Sequence, residues 1–309
     1  MQITITGSAG SFATYLIKEL EPAYDLVLFD RVRPDGNRLA GENRHSIVVG
    51  DLTCFEDCQR AVAGSHAIMH IGAIPFAAEL PWARAAMESG RMPLLPLDET
   101  MRVNTMGTYY LLEAARRAAV ATVVMASSGA VLGLGARPSG THFTPAYLPV
   151  DEAHPLAPED TYALSKVFGE EMLAAFSRGY GLRGYALRLA GILRPGLTPE
   201  FVREHAAPTG WNNWLYNYID ARDAARAFRM CLDAAERLPA FDVFFVTAPD
   251  SFLIETTREL LARLRPDLVG MAAGLGVHQA LISPDKAERS FGFRAEHRWT
   301  ELLAEAPAR

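Results

Sequence analysis

Thr6-Gly7-Ser8-Ala9-Gly10-Ser11-Phe12-Ala13 decides the fold of this chain. It follows an apolar, strand-like run at Gln2–Thr6 and opens a helical pattern over Ser11–Leu20. In this G-x-x-G-x-x-A spacing, Gly7 and Gly10 let the backbone turn tightly and approach a pyrophosphate. The helix that starts there offers unpaired N–H groups and the positive end of its dipole. The third position needs only a small side chain for close helix–sheet packing, which Ala13 supplies. The turn therefore predicts a dinucleotide site, with Gly7, Ser8, Ala9, Gly10, Ser11 and Phe12 as its contacts.

Working outward, strand-like runs recur at Leu26–Asp30, Ser46–Val49, Ala67–Ile71 and Thr122–Ala126, with helical patterns between several of them, notably Asp98–Ala119. Strands alternating with helices predict an α/β fold, a doubly wound parallel sheet of Rossmann type covered on both faces. A Pro/Gly-rich loop over Gly133–Pro158 leads to a helix at Thr161–Tyr180 and a strand at Arg183–Leu189. From Ala190 the chain turns irregular. A helix at Ala221–Ala235 and a strand at Val243–Thr247 restore the sheet pattern. A helix near Glu255–Arg265 and a short amphipathic segment ending at Leu303 follow. The expected division is a dinucleotide-binding domain over 1–190 plus 221–248, and a small substrate-binding portion over 191–220 plus 249–309. The small portion would cap the carboxyl edge of the sheet, where open α/β sheets bind ligands.

The 309 residues are half hydrophobic, with 30 basic against 36 acidic side chains and no long run of like charge. Nothing in that balance calls for nucleic acid or an anionic membrane. No secretory signal and no membrane span are expected. Cys54 and Cys58 have C-x3-C spacing without a second pair, so no metal is expected, and with Cys231 they read as reduced thiols of a cytoplasmic protein.

Asp30 ends the second strand about twenty residues after the glycine turn, where a carboxylate takes ribose hydroxyls. It favours NAD over NADP because it repels a 2′-phosphate, although Arg31 and Arg33 follow it. Asp51-Leu52 and Ile71-Gly72-Ala73 end further strands on the same edge. Asp51 can accept from an adenine amino group or merely cap the next helix. Tyr162-Ala-Leu-Ser-Lys166 places Tyr162 and Lys166 on one helix face. A free tyrosine is too weak an acid to serve as a base at neutral pH, and a lysine ammonium beside it favours phenolate. Ser127-Ser128, at a strand end, can hold a substrate oxygen beside Tyr162, and Asn104 can brace the backbone or a water behind Lys166.

Taken in order, Thr6-Gly-x-x-Gly10, Asp30, Asp51-Leu52, His70-Ile-Gly-Ala73, Asn104-x-x-Gly107-Thr108, Ser127-Ser128, Tyr162-x-x-x-Lys166 and Arg188 resemble the extended short-chain dehydrogenase/reductases, the NAD-dependent epimerase/dehydratase group. Tyr218-Ile-Asp-Ala-Arg-Asp223-Ala-Ala-Arg226 is similar to that group's late strand–helix junction. The resemblance implies a catalytic triad of Ser128, Tyr162 and Lys166. It also implies a homodimer that pairs the helices near 99–118 and 161–178 into a four-helix bundle. Two departures narrow the chemistry. Gly129-Ala130 follows Ser128 where sugar-nucleotide 4,6-dehydratases carry Asp-Glu, which disfavours that dehydration. The run Arg188-Leu-Ala-Gly-Ile lacks the Asn that nucleotide-sugar epimerases use for the diphosphate, and it is also similar to uronate dehydrogenases.

The expected activity is NAD-dependent chemistry at a carbinol carbon of a small-molecule substrate, a sugar or nucleotide sugar, read first as epimerisation. The alternatives are net dehydrogenation or reduction of a free sugar, sugar acid or small alcohol, and a non-catalytic NAD-sensing protein. Candidate substrate contacts are Ile74, Arg84, Ser128, Gly129, Ala190, Arg194 and Trp214, with Trp211, Asn212 and Asn213 nearby. The segment Pro75–Leu97, with Trp82, Arg84 and Arg91, reads either as a substrate lid or as a surface insertion.

Overall fold

The alternating runs form a seven-stranded parallel sheet in a computed structural model that describes residues 1–34 and 45–304. Its first half comprises β1 (Gln2–Thr6), α1 (Ala13–Leu20), β2 (Asp25–Asp30), β3 (His45–Val49), α2 (Phe55–Val62), β4 (Ala67–His70), α3 (Pro81–Glu88), α4 (Glu99–Met101), α5 (Gly107–Arg117) and β5 (Thr122–Ser128). The second half comprises α6 (Thr161–Tyr180), β6 (Arg183–Leu189), β7 (Gly191–Leu193), α7 (Pro199–Ala206), β8 (Tyr218–Asp220), α8 (Ala221–Asp233) and β9 (Phe241–Val246). The chain then ends with α9 (Thr257–Leu264), α10 (Asp285–Phe291) and α11 (Glu301–Ala304).

The sheet order is β3-β2-β1-β4-β5-β6-β9, every neighbour parallel, and β7 and β8 pair separately. Central strands are buried on both faces, so they read as near-continuous apolar runs. β2 is Asp-Leu-Val-Leu-Phe-Asp with its four middle residues buried. Side chains still alternate between faces. Ile3 and Ile5 pack with Leu16 and Ile17 of α1 and Phe228 of α8, whereas Ile68 and Val123 pack with Val62 of α2, Leu111 of α5 and Leu173 of α6.

The order reverses between β1 and β4, which opens a crevice at their carboxyl ends. Gly7 makes the close approach possible. Its φ is +71°, and a Cβ there would lie 2.6 Å from Gly72 Cα. The C-terminal segment is tied back by Asp223, whose fully buried carboxylate accepts from Glu296 N (2.9 Å) and His297 N (2.8 Å) and pairs with Arg226 (2.7 Å).

Three differences from expectation bear on the site. α1 begins at Ala13, because Gly10 N and Ala13 N close the preceding turn on Gly7 O and Gly10 O. β5 runs on to Ser128, in register with Leu189 of β6. The helix expected over 98–119 is broken by a π-helical turn, Arg102–Met106, between α4 and α5. Among the described residues no helix is long and apolar enough to cross a membrane, and no group of His, Cys, Asp or Glu is arranged to hold a metal ion.

Candidate active site

The glycine turn, Asp30, Arg31, Asp51, Leu52, Gly72, Ala73 and Ile74 line a cavity of about 170 Å³ at the β1/β4 switch point. Asp30 Oδ2 accepts from Ala9 N at 2.9 Å, so the carboxylate braces the turn. A carboxylate has about four acceptor sites, which leaves capacity for ribose hydroxyls. The Ser8 hydroxyl is buried in the turn without a partner. An unpaired donor at a glycine turn that leads into a helix N-terminus fits a pyrophosphate. Arg31 is paired with Glu99 at 3.3 Å, which also holds Arg102 at 2.6 Å. Asp51 Oδ1 accepts from both the amide and the hydroxyl of Thr53 at 2.8 Å, an Asx-turn that precedes α2, whose N-cap is Cys54 with no side-chain capping bond. Ser11 is exposed, and Phe12 faces a second, larger cavity. Ile71 and Ala73 line both cavities and join them.

The second cavity, about 510 Å³, holds the proton-transfer candidates Ser128, Tyr162 and Lys166, together with Ser127. Asp160 caps α6 through Ala163 N at 2.8 Å, and the helix then carries Tyr162 and Lys166 one turn apart. The Ser128 hydroxyl lies beside the Tyr162 phenol and accepts from Ala130 N at 3.1 Å. Burial pushes the phenol above its ordinary value, and the Ser128 hydroxyl draws it back. Lys166 Nζ donates to Ala126 O at 2.8 Å and sits 5.7 Å from the Tyr162 ring centre. Burial pulls its ammonium down to about 8, against the opposing pull of Glu170.

Asn104 lies in the π-turn. Its Oδ1 accepts from Ile74 N at 2.8 Å, and its Nδ2 donates to Ile74 O and Ser165 Oγ, both at 3.0 Å. It thus links the loop after β4 to the first turns of α6. A π-turn of this kind is often found at functional positions.

Two buried networks escaped the sequence reading. Glu170 accepts from Ser127 Oγ (2.5 Å) and from Arg188 Nε and Nη2 (3.0 and 2.8 Å), behind Lys166. The four-residue step from Lys166 to Glu170 on one helix face was the available signal. His70 bridges Thr6 Oγ1 (2.8 Å) and Thr108 Oγ1 (2.9 Å). Thr108 donates its own proton to Asn104 O at 2.6 Å, and Thr6 Oγ1 accepts from Gly72 N at 3.0 Å. Those bonds assign the His70 proton to Nε2. Burial, with Lys166 adding to it, lowers the ring to about 3, so it is neutral.

Of the substrate candidates, Ser128, Ala190 and Trp214 line the larger cavity and Ile74 the smaller. Arg84, Arg194 and Gly129 line neither. Arg84 donates to Leu95 O at 2.9 Å within its own segment, Arg194 is exposed, and Gly129 is buried under Leu134. Trp211 packs edge-on to Tyr216, and Asn213 bonds Phe143 N at 3.0 Å. The 75–97 segment is anchored: Glu79 accepts from Thr161 N (3.1 Å) and Oγ1 (2.7 Å), and an apolar cluster centred on Leu80 and Met87 packs against Tyr162. Asn217, Tyr218 and Phe252 also line the larger cavity; the sequence marked Tyr218 only as part of a strand–helix junction, and Asn217 and Phe252 not at all.

Residues 3–246 match the profile of the NAD dependent epimerase/dehydratase family. A putative UDP-glucose 4-epimerase of Methanocaldococcus jannaschii is 30% identical over 193 residues, 62% of this chain and 55% of that one. A uronate dehydrogenase of Pseudomonas syringae pv. tomato is 26% identical over 188 residues, 61% of this chain and 58% of that one. The chain thus spans little more than half the length of these curated relatives. Among solved structures, a UDP-glucose 4-epimerase from Brucella ovis in complex with NAD superposes with a TM-score of 0.69 at 19% identity, covering 98% of this chain and 96% of that one. At this identity the likeness speaks for the fold.

Proposed function

Since the chain belongs to the NAD dependent epimerase/dehydratase family, we propose that it moves a hydride to and from a carbinol carbon of a sugar or nucleotide sugar, and that net epimerisation is its reaction. The observation that carries this reading is the convergence of the Ser128 hydroxyl, the Tyr162 phenol and the Lys166 ammonium in a cavity that joins the glycine-turn crevice. The turn, the unpaired Ser8 hydroxyl and Asp30 fit NAD, and the pairing of Arg31 with Glu99 supports NAD over NADP. Gly7, Ser8, Ala9, Gly10, Ser11 and Phe12 would take the pyrophosphate. Asp30 would take the ribose, with Arg31, Asp51, Leu52, Ile71, Gly72, Ala73, Asn104 and Ser127 around the rest. Residues 191–220 and 249–309 would form the substrate-binding portion.

NAD held there would supply the hydride acceptor and a positive charge that favours the Tyr162 phenolate. Ser128 would hold the substrate oxygen while Tyr162, as phenolate, takes its proton. Lys166 would stabilise that phenolate from Ala126 O, and Asn104 would fix the loop that faces it. Epimerisation then requires the keto intermediate to turn over before hydride returns to its other face. Tyr162→Phe is expected to lower turnover by at least ~100-fold, the lower range for general acid–base catalysis. Unchanged turnover of an identified substrate removes Tyr162 from the mechanism. The second reading, net dehydrogenation, is favoured by the likeness to the uronate dehydrogenase. NADH appearing one for one with substrate consumed selects it, whereas a product isomer without net absorbance change selects epimerisation.

We further read the protein as cytoplasmic, in keeping with its three free cysteines. We read its assembly as a homodimer through the outer faces of α5 and α6.

A further inference from the structure

We infer that the cavity beside Tyr162 selects an uncharged sugar, one carrying neither a diphosphate nor a carboxylate, and that the Asn217 side chain accepts a hydrogen bond from one of its hydroxyls. This rests on the carbinol chemistry proposed above and adds the substrate class.

Among the described residues that line the cavity, Lys166 is the one charged side chain, and its ammonium already donates to Ala126 O. A desolvated diphosphate or carboxylate needs guanidinium or ammonium donors, often in bidentate pairs. Three nearby arginines are committed elsewhere. Arg188 forks onto the buried Glu170, Arg137 binds Gly133 O and Glu159, and Arg84 binds Leu95 O. Arg194 adjoins the lining residue Leu193 but is exposed and outside the cavity.

The remaining wall suits a neutral ring. Trp214, Tyr218 and Phe252 contribute aromatic surface, which packs against the C–H faces of a sugar. Trp214 is seated against the loop at Gly135, where φ is +87° and a Cβ would lie 2.4 Å from the indole. Any larger residue at 135 would displace that ring. Asn217 lines the same cavity and is 7% exposed, yet its side-chain oxygen has no partner. A buried carbonyl left unpaired is costly, and a substrate hydroxyl supplies the missing donor. The volume of about 510 Å³ is ample for a monosaccharide.

Binding and turnover separate this inference from the reading beneath it. In the dead-end complex with NADH, no hydride can be accepted, so calorimetric titration reads affinity alone. Glucose and galactose are expected to bind at least 10-fold more tightly than glucuronate or UDP-glucose. Asn217→Leu is expected to weaken the neutral sugars by roughly 10-fold, and Asn217→Asp, which keeps acceptor oxygens in nearly the same shape, is expected to retain most of their affinity. Tighter binding of UDP-glucose or glucuronate overturns the inference, as does binding of none of the four. Equal affinities in the unaltered protein and a folded Asn217→Leu variant remove Asn217 from it. Turnover with NAD decides the other question: neutral sugars that bind but never react leave the selectivity intact and sink the proposed function.

Discussion

Lys166 is held where its charge opposes folding. Burial draws its ammonium from 10.5 down to about 8. Between those values the unfolded chain binds a proton that the folded chain does not. Stability therefore rises as pH climbs from about 8 towards 10.5, and below about 8 the whole penalty is present. Lys166→Met should remove that penalty and lose one bond to Ala126 O. The net gain expected near pH 7 is on the order of 1 kcal/mol, or about 2 °C in thermal midpoint. Turnover should fall by at least ~100-fold, because Tyr162 loses the cation that favours its phenolate. The stability gap should close as pH approaches about 10. Thermal unfolding at the two pH values checks this, and a lower midpoint for the variant near neutrality contradicts it. Glu170, one turn beyond Lys166 and held in place by two bonds from Arg188, offsets part of the lysine's burial.

At the scale of elements, the π-turn at Arg102–Met106 is the joint between the two halves of the site. Asn104 makes three bonds from it, two to Ile74 and one to Ser165. Asn104→Ala strands the buried amide and carbonyl of Ile74, an expected cost of about 2–6 kcal/mol at 1–3 kcal/mol for each unsatisfied group. It also detaches the start of α6 from the loop after β4, so kcat should fall by about 10-fold or more. Urea unfolding and steady-state kinetics on the same preparation test both parts; a variant with native stability and native kcat refutes the joint. The bounds of α6 were legible because Asp160 caps its start and Gly181, at φ +74°, closes its end. Tyr162 and Lys166 followed from their four-residue step, and Glu170 continues that step. The contact between Asn104 and Ile74 was not legible. It joins residues thirty apart, through a helical turn whose irregular winding leaves no period in the sequence. Arg84 lies outside both cavities for a related reason, since the reach of a long side chain towards Leu95 O depends on the fold of its own segment.

At the scale of the whole molecule, the glycine turn and the strand–helix alternation foretold a parallel sheet, and the β1/β4 switch point placed the crevice where that turn lies. The return of β9 to the sheet edge was legible as an apolar run, whereas the wall made by Asn217, Tyr218 and Phe252 depended on how the irregular 190–217 stretch folds back. The molecule's outer faces carry one more consequence. α5 and α6 pack side by side and leave Tyr109 41%, Phe168 39% and Tyr180 61% exposed, with Met106 of the adjoining π-turn at 43%. Tyr109 and Tyr180 converge on Phe176 between them, with ring centres 6.3 and 5.3 Å away. Contiguous apolar surface of this kind on two adjacent helices is usually covered by a partner, and a second copy presenting the same face would complete a four-helix bundle with two-fold symmetry. The sedimentation mass at micromolar concentration is therefore expected to be that of a dimer. Tyr109→Glu together with Phe168→Glu would set like charges against each other across the interface and give a monomer. Neither residue lines the glycine-turn cavity or the cavity beside Tyr162, so NAD affinity should change by less than about 3-fold, while the thermal midpoint becomes independent of protein concentration. A wild-type protein that sediments as a monomer, or a doubly substituted one that stays a dimer, would assign this face to something other than self-association.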